Sequence, residues 1–337
     1  MREPAFWHRG SSWQSRLLSP LGAVYGGLTA RRMMRPGARV GIPVICVGNY
    51  HLGGAGKTPT VLALAELLRG MGERPWVVSR GYGGRLAGPV VVDPALHRAA
   101  DVGDEPLMMA GRLPVVVARR RDEGAVLARA QGASVVLLDD GFQNPSLAKD
   151  AALIVIDSRR GLGNGSVFPA GPLRAPLPPQ LARTDALIVV GDGDAARPVA
   201  ELVAARGKPV LRGRLQPDPA SLAALAGRRV LAFAGIGDPE RFFTTLRSAG
   251  VDVADTATFP DHHPFAASEI AALAARAARS ALILVTTEKD LVRLRGDEAL
   301  AAHADAMVPF KVSLDIAPRA TLETLLSRVM AGAIRSD

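Results

Sequence analysis

Lys57 and Thr58 close a glycine-rich run, Gly53-Gly54-Ala55-Gly56-Lys57-Thr58-Pro59, whose residue types suit the holding of phosphate. Glycines let a loop turn its backbone N–H groups toward phosphate oxygens, a lysine neutralises them, and a threonine hydroxyl can ligate Mg²⁺. The usual spacing would place glycine at position 51, where this chain has His51, with Gly48 three residues earlier. A metal-bound phosphate also needs a carboxylate at the end of a neighbouring strand. Asp139 and Asp140 supply two, directly after Val135-Val136-Leu137-Leu138, the four apolar residues that a buried parallel strand requires. Either alone could cap a helix; two together beside a phosphate loop read as its metal side. The chemistry would be phosphoryl transfer.

Transfer to a hydroxyl calls for a group that orients or deprotonates it. Asp104, in Asp101-Val102-Gly103-Asp104-Glu105-Pro106, is the candidate, although spacing alone favours an ordinary helix N-cap there. Pro260-Asp261-His262-His263-Pro264-Phe265 gathers two of the six histidines with a carboxylate. No further His or Cys cluster lies nearby to complete a metal site. A proton-handling pair reaching across a cleft between domains fits better, with a surface loop as the alternative.

From about residue 40, short apolar runs alternate with helix-like segments, the pattern of a parallel sheet with crossover helices. The expected strands are Val44–Val47, Trp76–Ser79, Val115–Ala118, Val135–Leu138, Leu153–Ile156 and Ala186–Val190, with helices such as Thr60–Arg69 and Glu123–Ala130 between them. The proline-rich tract Pro169–Pro179 breaks this pattern and is expected to be an irregular loop. A second, smaller α/β unit begins near Arg228, after a linker around Gln216–Ser221. It holds strand Val230–Ala234, helices Pro239–Ser248 and Ala267–Ala278, strand Ala281–Thr286 and a last helix Ala320–Met330. The expected fold class is therefore α/β: a P-loop NTPase-type parallel sheet with flanking helices plus a smaller α/β domain. The expected division is 1–38, 39–217 and 218–337.

A chain of 337 residues is long enough for two cores, and 48% apolar with 22% charged residues excludes a disordered or collagen-like protein. Aromatic residues at 4% argue against a binding surface of stacked rings. The one cysteine, Cys46, lies in an apolar run, so no disulfide framework exists and a reducing cytoplasm is the natural compartment. Residues 1–39 carry seven Arg against Glu3, six of the nine net positive charges. Phe6, Trp7, Trp13, Leu17, Leu18, Leu21, Val24, Tyr25 and Leu28 recur there near helical spacing, which points to a membrane surface as the anionic partner. An amphipathic helix packed on its own domain is the equal alternative. Pro20 and the glycines of this stretch weaken any single continuous helix. No run of 18 apolar residues occurs, so no bilayer span is expected.

Taken in order, these motifs resemble the tetraacyldisaccharide 4'-kinases, which phosphorylate the lipid A precursor disaccharide at the inner membrane of Gram-negative bacteria. The resemblance covers nearly the whole chain. It is carried by Val47-Gly48-Asn49, the Gly53–Pro59 loop, Ser79-Arg80-Gly81-Tyr82-Gly83, Gly103-Asp104-Glu105-Pro106 and Asp139-Asp140-Gly141-Phe142-Gln143. Further on lie Pro169-Ala170-Gly171-Pro172-Leu173-Arg174, Ala234-Gly235-Ile236, Phe259-Pro260-Asp261-His262-His263 and Thr286-Thr287-Glu288-Lys289-Asp290. It implies ATP as donor, with Gly53, Gly54, Ala55, Gly56, Lys57, Thr58 and Pro59 binding the nucleotide. Thr58, Asp139 and Asp140 would be on the Mg²⁺ side. Asp104 would be the base for the 4'-hydroxyl, and His262 its partner, with His263 one position away. Arg80, Arg174, Gln143 and an Arg among 119–121, assigned to Arg121, would face the substrate. The resemblance also implies a product known as lipid IVA and a monomer docked by its basic N-terminus on the cytoplasmic face of the inner membrane. No protein partner or nucleic acid is expected. The family often has His after the Gln and Glu after the Arg, where this chain has Asn144 and Ala175. A P-loop switch ATPase of the partitioning or maturation type is the rival, but such proteins carry Lys just before the glycine pair, where Leu52 stands.

Overall fold

The computed structural model describes residues 3–10 and 12–334; Arg2, counted in the basic N-terminus, lies outside them. Thirteen strands form two sheets among the described residues. They are β1 (Val44–Gly48), β2 (Pro75–Ser79), β3 (Val90–Val91), β4 (Val115–Val117), β5 (Val135–Asp139), β6 (Ala151–Asp157), β7 (Ala186–Val190), β8 (Val210–Pro217), β9 (Arg229–Ala234), β10 (Asp252–Thr258), β11 (Ile283–Thr287), β12 (Val308–Phe310) and β13 (Val312–Ala317). The large sheet runs β13-β8-β7-β6-β1-β5-β2-β4-β3 and the small one β10-β9-β11-β12. Seven strands of the large sheet are mutually parallel, and only the edge strands β13 and β3 run antiparallel to their neighbours.

The strands read from the sequence are uniform apolar runs because both faces of this sheet are covered. Ile45 and Val47 face the helix Lys57–Gly70 with Leu64 and Leu68, while Val44 and Cys46 join the opposite layer with Val78, Val136 and Leu138. The crossover from β1 to β2 passes over β5, so the chain order reverses at β1, and the crevice at the carboxyl ends of β1 and β5 is where such sheets bind ligands. Cys46 is free and buried, and burial pushes its thiol up to about 11.

The smaller sheet packs Phe233, Phe265, Ile270 and Leu294 on one face and Phe242, Phe243 and Leu246 on the other. Residues 312–334, expected within this smaller domain, instead return to the large sheet: β13 pairs with β8, and Leu322 and Leu326 of the final helix join the core around Leu64. The sequence signal is weak because β8, one strand in from the edge, and β13, at the edge, alternate buried with exposed positions instead of forming uniform apolar runs.

The N-terminal segment is a short 3₁₀ turn, Ala5–His8, and one helix, Trp13–Met33, that runs on through Pro20 instead of breaking there. Its packed face is made of small residues. The Ser15 hydroxyl donates to the Ala170 carbonyl at 2.9 Å, and a Cβ on Gly22 or Gly26 would lie 2.8 Å from the Val167 carbonyl oxygen or 3.2 Å from the Pro176 ring. Glycine here brings two backbones together. The large apolar residues Trp13, Leu17, Leu21, Val24 and Leu28 point outward, between 58% and 71% exposed.

Candidate active site

β1 delivers the chain into Asn49–Gly56, and Gly56, with φ of 91°, makes the turn into the helix Lys57–Gly70. A Cβ is disfavoured in that left-handed conformation, so glycine is required there. The first-turn N–H groups of the helix face out of the sheet's carboxyl edge, where an anion gains from them and from the helix dipole. Asn49 donates its amide to the Gly53 carbonyl at 3.1 Å and braces the loop.

His51 explains its departure from the usual spacing. It is not among the non-glycine residues with positive φ, and it forms a bridge with Leu173. Leu52 N donates to the Pro172 carbonyl at 2.8 Å and Arg174 N to that of Tyr50 at 2.9 Å, so the proline-rich tract is stitched to the phosphate loop. This tract, expected to be irregular throughout, also contains the start of a short helix, Leu177–Leu181. The His51 ring is buried, with Nδ1 2.7 Å from the Leu52 carbonyl oxygen, and burial lowers its pKa to about 4.

Asp139 ends β5, in register with Val47, and Asp140 follows it with a φ of 51°. Arg174 grips Asp140 with two nearly parallel bonds, NH1 to Oδ1 at 2.8 Å and NH2 to Oδ2 at 3.0 Å, while Lys57 Nζ lies 3.6 Å from Oδ2. Burial pushes the Asp140 carboxyl up, but Lys57 and Arg174 outweigh it and hold the group down at about 2. Asp139 is in the opposite state. Ser79 donates to Oδ2 at 3.0 Å, Oδ1 is buried with no partner, and burial followed by the charges of Glu105 and Asp140 pushes the carboxyl up to about 7. A buried carboxylate oxygen with no donor is what a divalent cation satisfies. Among the described residues no set of three or more His, Cys, Asp or Glu forms a cage, so a cation here would draw its other ligands from phosphate and water, the usual habit of Mg²⁺.

Two expected substrate contacts are placed differently. Gln143 donates its amide to the Asn49 carbonyl at 2.8 Å and to Gln180 at 2.9 Å, a brace beneath the loop. Arg121 is buried, donating NH1 to the Ala118 carbonyl at 2.8 Å, and its charge acts on Asp139 and Asp140 from within. Arg80 is exposed at the carboxyl end of β2.

Asp104 begins the helix Asp104–Ala110, and the smaller domain reaches it. Of the two histidines it is His262 that meets Asp104, Nδ1 lying 2.8 Å from Oδ2, whereas His263 pairs with Glu269 at 2.8 Å. Tyr82, exposed, lies with its ring 5.5 Å from that of His262. Arg293 adds Nε at 3.1 Å and NH2 at 2.5 Å to the same Oδ2. Burial raises the Asp104 carboxyl, yet His262 and Arg293 reverse the effect and leave it at about 2. Lys289 pairs with Glu105 at 2.9 Å and Glu288 with Arg112 at 2.5 Å along the same seam. Thr286–Asp290 has no role assigned by sequence alone, and Arg293, three residues beyond Asp290 on the helix Glu288–Arg295, carries no local signal of one.

A family model described as tetraacyldisaccharide-1-P 4'-kinase matches residues 14–331. A tetraacyldisaccharide 4'-kinase of Bradyrhizobium sp. is 65% identical over 333 residues, 99% of this chain and 96% of that relative. One from Nitrobacter winogradskyi is 64% identical over 337 residues, the full length of both chains. The crystal structure of LpxK from Aquifex aeolicus in complex with ATP superposes with a TM-score of 0.72 at 26% identity, covering 94% of this chain and 99% of that one.

Proposed function

The chain belongs to the tetraacyldisaccharide-1-P 4'-kinase family, and from that premise we propose how its residues divide the work of moving the γ-phosphate of ATP to the 4'-hydroxyl of a tetraacyldisaccharide 1-phosphate. The activity is that of an ATP-dependent kinase in lipid A biosynthesis. The loop N–H groups of Gly53–Thr58 hold the donor phosphates, and Lys57, now near Asp140, swings its charge onto them. Thr58 and the unpartnered Oδ1 of Asp139 would hold Mg²⁺, which neutralises charge on the transferred group. Asp140 keeps Arg174 and Lys57 aimed at the same place. Asp104 orients the acceptor hydroxyl: the oxygen–phosphorus bond to the 4'-oxygen forms as the bond to ADP breaks, and the hydroxyl proton passes to the Asp104–His262 pair.

The single observation that supports this division is the His262–Asp104 contact, which brings a histidine of the smaller domain onto the Asp104 carboxylate. A switch ATPase needs no such acceptor pair. The outward apolar face of the Trp13–Met33 helix, flanked by Arg9, Arg31, Arg32 and Arg35, supports docking on the cytoplasmic face of the inner membrane. Among the described residues no helix is long and apolar enough to cross a membrane. The test is transfer of labelled γ-phosphate to the lipid disaccharide 1-phosphate in detergent micelles: acceptor-dependent labelling supports the kinase function, and acceptor-independent hydrolysis alone overturns it.

A further inference from the structure

We propose that Arg293, held by the buried carboxylate of Asp290, is a positioning residue that presents Asp104 to the acceptor hydroxyl. The proposal rests on the kinase function above. Asp290 is fully buried and both its oxygens are occupied. Oδ2 accepts from the Thr287 hydroxyl at 2.7 Å and from Gly235 N at 3.1 Å, and Oδ1 accepts from Arg293 NH1 at 2.9 Å. NH1 also donates to the His263 carbonyl at 3.2 Å, and the guanidinium lies 5.7 Å from the centre of the Phe265 ring. With NH1 so fixed, Nε and NH2 are left facing the other domain, and both end on Asp104 Oδ2.

The same buried carboxylate governs the second grip on Asp104. Gly235, whose N–H is taken by Asp290, accepts from His262 N at 3.1 Å, and a Cβ on Gly235 would meet Asp290 Oδ1 at 3.2 Å. One hub thus sets both side chains that converge on Asp104. All their contacts fall on Oδ2, which leaves Oδ1 to be turned toward a substrate hydroxyl. A lysine at 293 would keep the charge but could not span two carboxylates with a planar fork.

The groups facing Asp104 are His262 and Arg293, with Lys289 on the neighbouring Glu105 and Asp261 lying 3.8 Å from the far nitrogen of His262. Burial opposes ionisation of Asp104, and the hydrogen bonds from His262 and Arg293 together with the Arg293 charge restore it. Without Arg293, one of the two partners that offset burial is lost, and Asp104 titrates at a higher pH.

The experiment measures kcat and kcat/KM for the lipid acceptor from about pH 5 to about pH 9 in wild type, Arg293→Met and Arg293→Lys, and repeats both substitutions on an Asp104→Ala background. Expected is a kcat loss on the order of 10²-fold for Arg293→Met at the acid end that recovers with rising pH. Arg293→Lys should fall between, the KM for ATP should stay unchanged, and neither substitution should cost more once Asp104 is gone. A wild-type profile in Arg293→Met overturns the proposal. So does an equal loss at every pH that persists on the Asp104→Ala background. Acceptor-dependent transfer by the wild type in the same series separates failure of this proposal from failure of the kinase function.

Discussion

His262 and Asp104 stand 158 positions apart in the chain, yet Nδ1 of the one lies 2.8 Å from Oδ2 of the other. The contact ties the turn after β10 in the smaller sheet's domain to the helix Asp104–Ala110, which lies between β3 and β4 of the larger sheet. A helix N-terminus alone would explain Asp104 as a cap; a histidine brought from another domain gives it a chemical neighbour.

Asp104→Ala and His262→Ala should therefore each lower kcat by roughly 10²-fold while leaving the KM for ATP within a small factor of wild type. Their effects should not multiply, because they act as a unit. Steady-state kinetics of the two single variants and the double variant check this, and fully multiplicative losses would show independent roles.

Arg174 should be hard to replace. Its fork holds Asp140 bidentately while Nε donates to the His51 carbonyl at 3.1 Å, so one side chain ties the metal-side carboxylate, the proline-rich tract and the phosphate loop together. Arg174→Lys keeps the charge without the geometry and should lose about tenfold or more in kcat/KM for ATP. A wild-type kcat/KM would mean that charge alone matters.

His51 makes a pH-dependent contribution whose sign is set by its lowered pKa. The unfolded chain takes up a proton near 6.5, whereas the folded protein resists protonation until about pH 4. Stability present above pH 6.5 is lost as the pH falls through that window, by on the order of 3 kcal/mol in all. Urea unfolding across the window should show a shallower decline for His51→Phe, which fills the volume without titrating. An unchanged slope would assign the loss to other groups.

The N-terminal helix has two faces with different duties. Replacing Trp13, Leu17 and Leu21 with serine should leave the unfolding midpoint within a degree or two, since exposed positions contribute little, but should abolish sedimentation with anionic phospholipid vesicles. Gly22→Leu should do the reverse damage, because its side chain would meet the Val167 carbonyl oxygen and lift the helix from the proline-rich tract. Vesicle binding that survives the serine substitutions would put the membrane contact elsewhere.

Much of this arrangement is legible in the residues. The apolar runs of β1, β5, β6 and β7 have no polar alternation because both faces are covered, so their places in the chain are plain. Gly56-Lys57-Thr58 and Asp139-Asp140 are local motifs attached to those strands, and the pairing of β1 with β5 leaves Lys57 Nζ 3.6 Å from Asp140. Other features depend on distance in the chain. Arg293 reads as one more basic residue on a charged helix, and only the fold shows that Asp290 aims it at Asp104. Burial of Arg121 and the bracing role of Gln143 are likewise decided by neighbours from other elements. The continuous Trp13–Met33 helix was obscured because its packed face is small and its large residues lie outside, the inverse of an ordinary amphipathic pattern.

We propose that the phosphate loop and the Asp104–His262 pair together move the γ-phosphate of ATP onto the 4'-oxygen of the lipid disaccharide. Phosphorus NMR of the lipid recovered after incubation with ATP and Mg²⁺ tests it most directly. The account predicts a second phosphate monoester, on the 4' carbon, with one ADP formed per ester. A diphosphate at the 1-position, or free phosphate with the lipid unchanged, would contradict it.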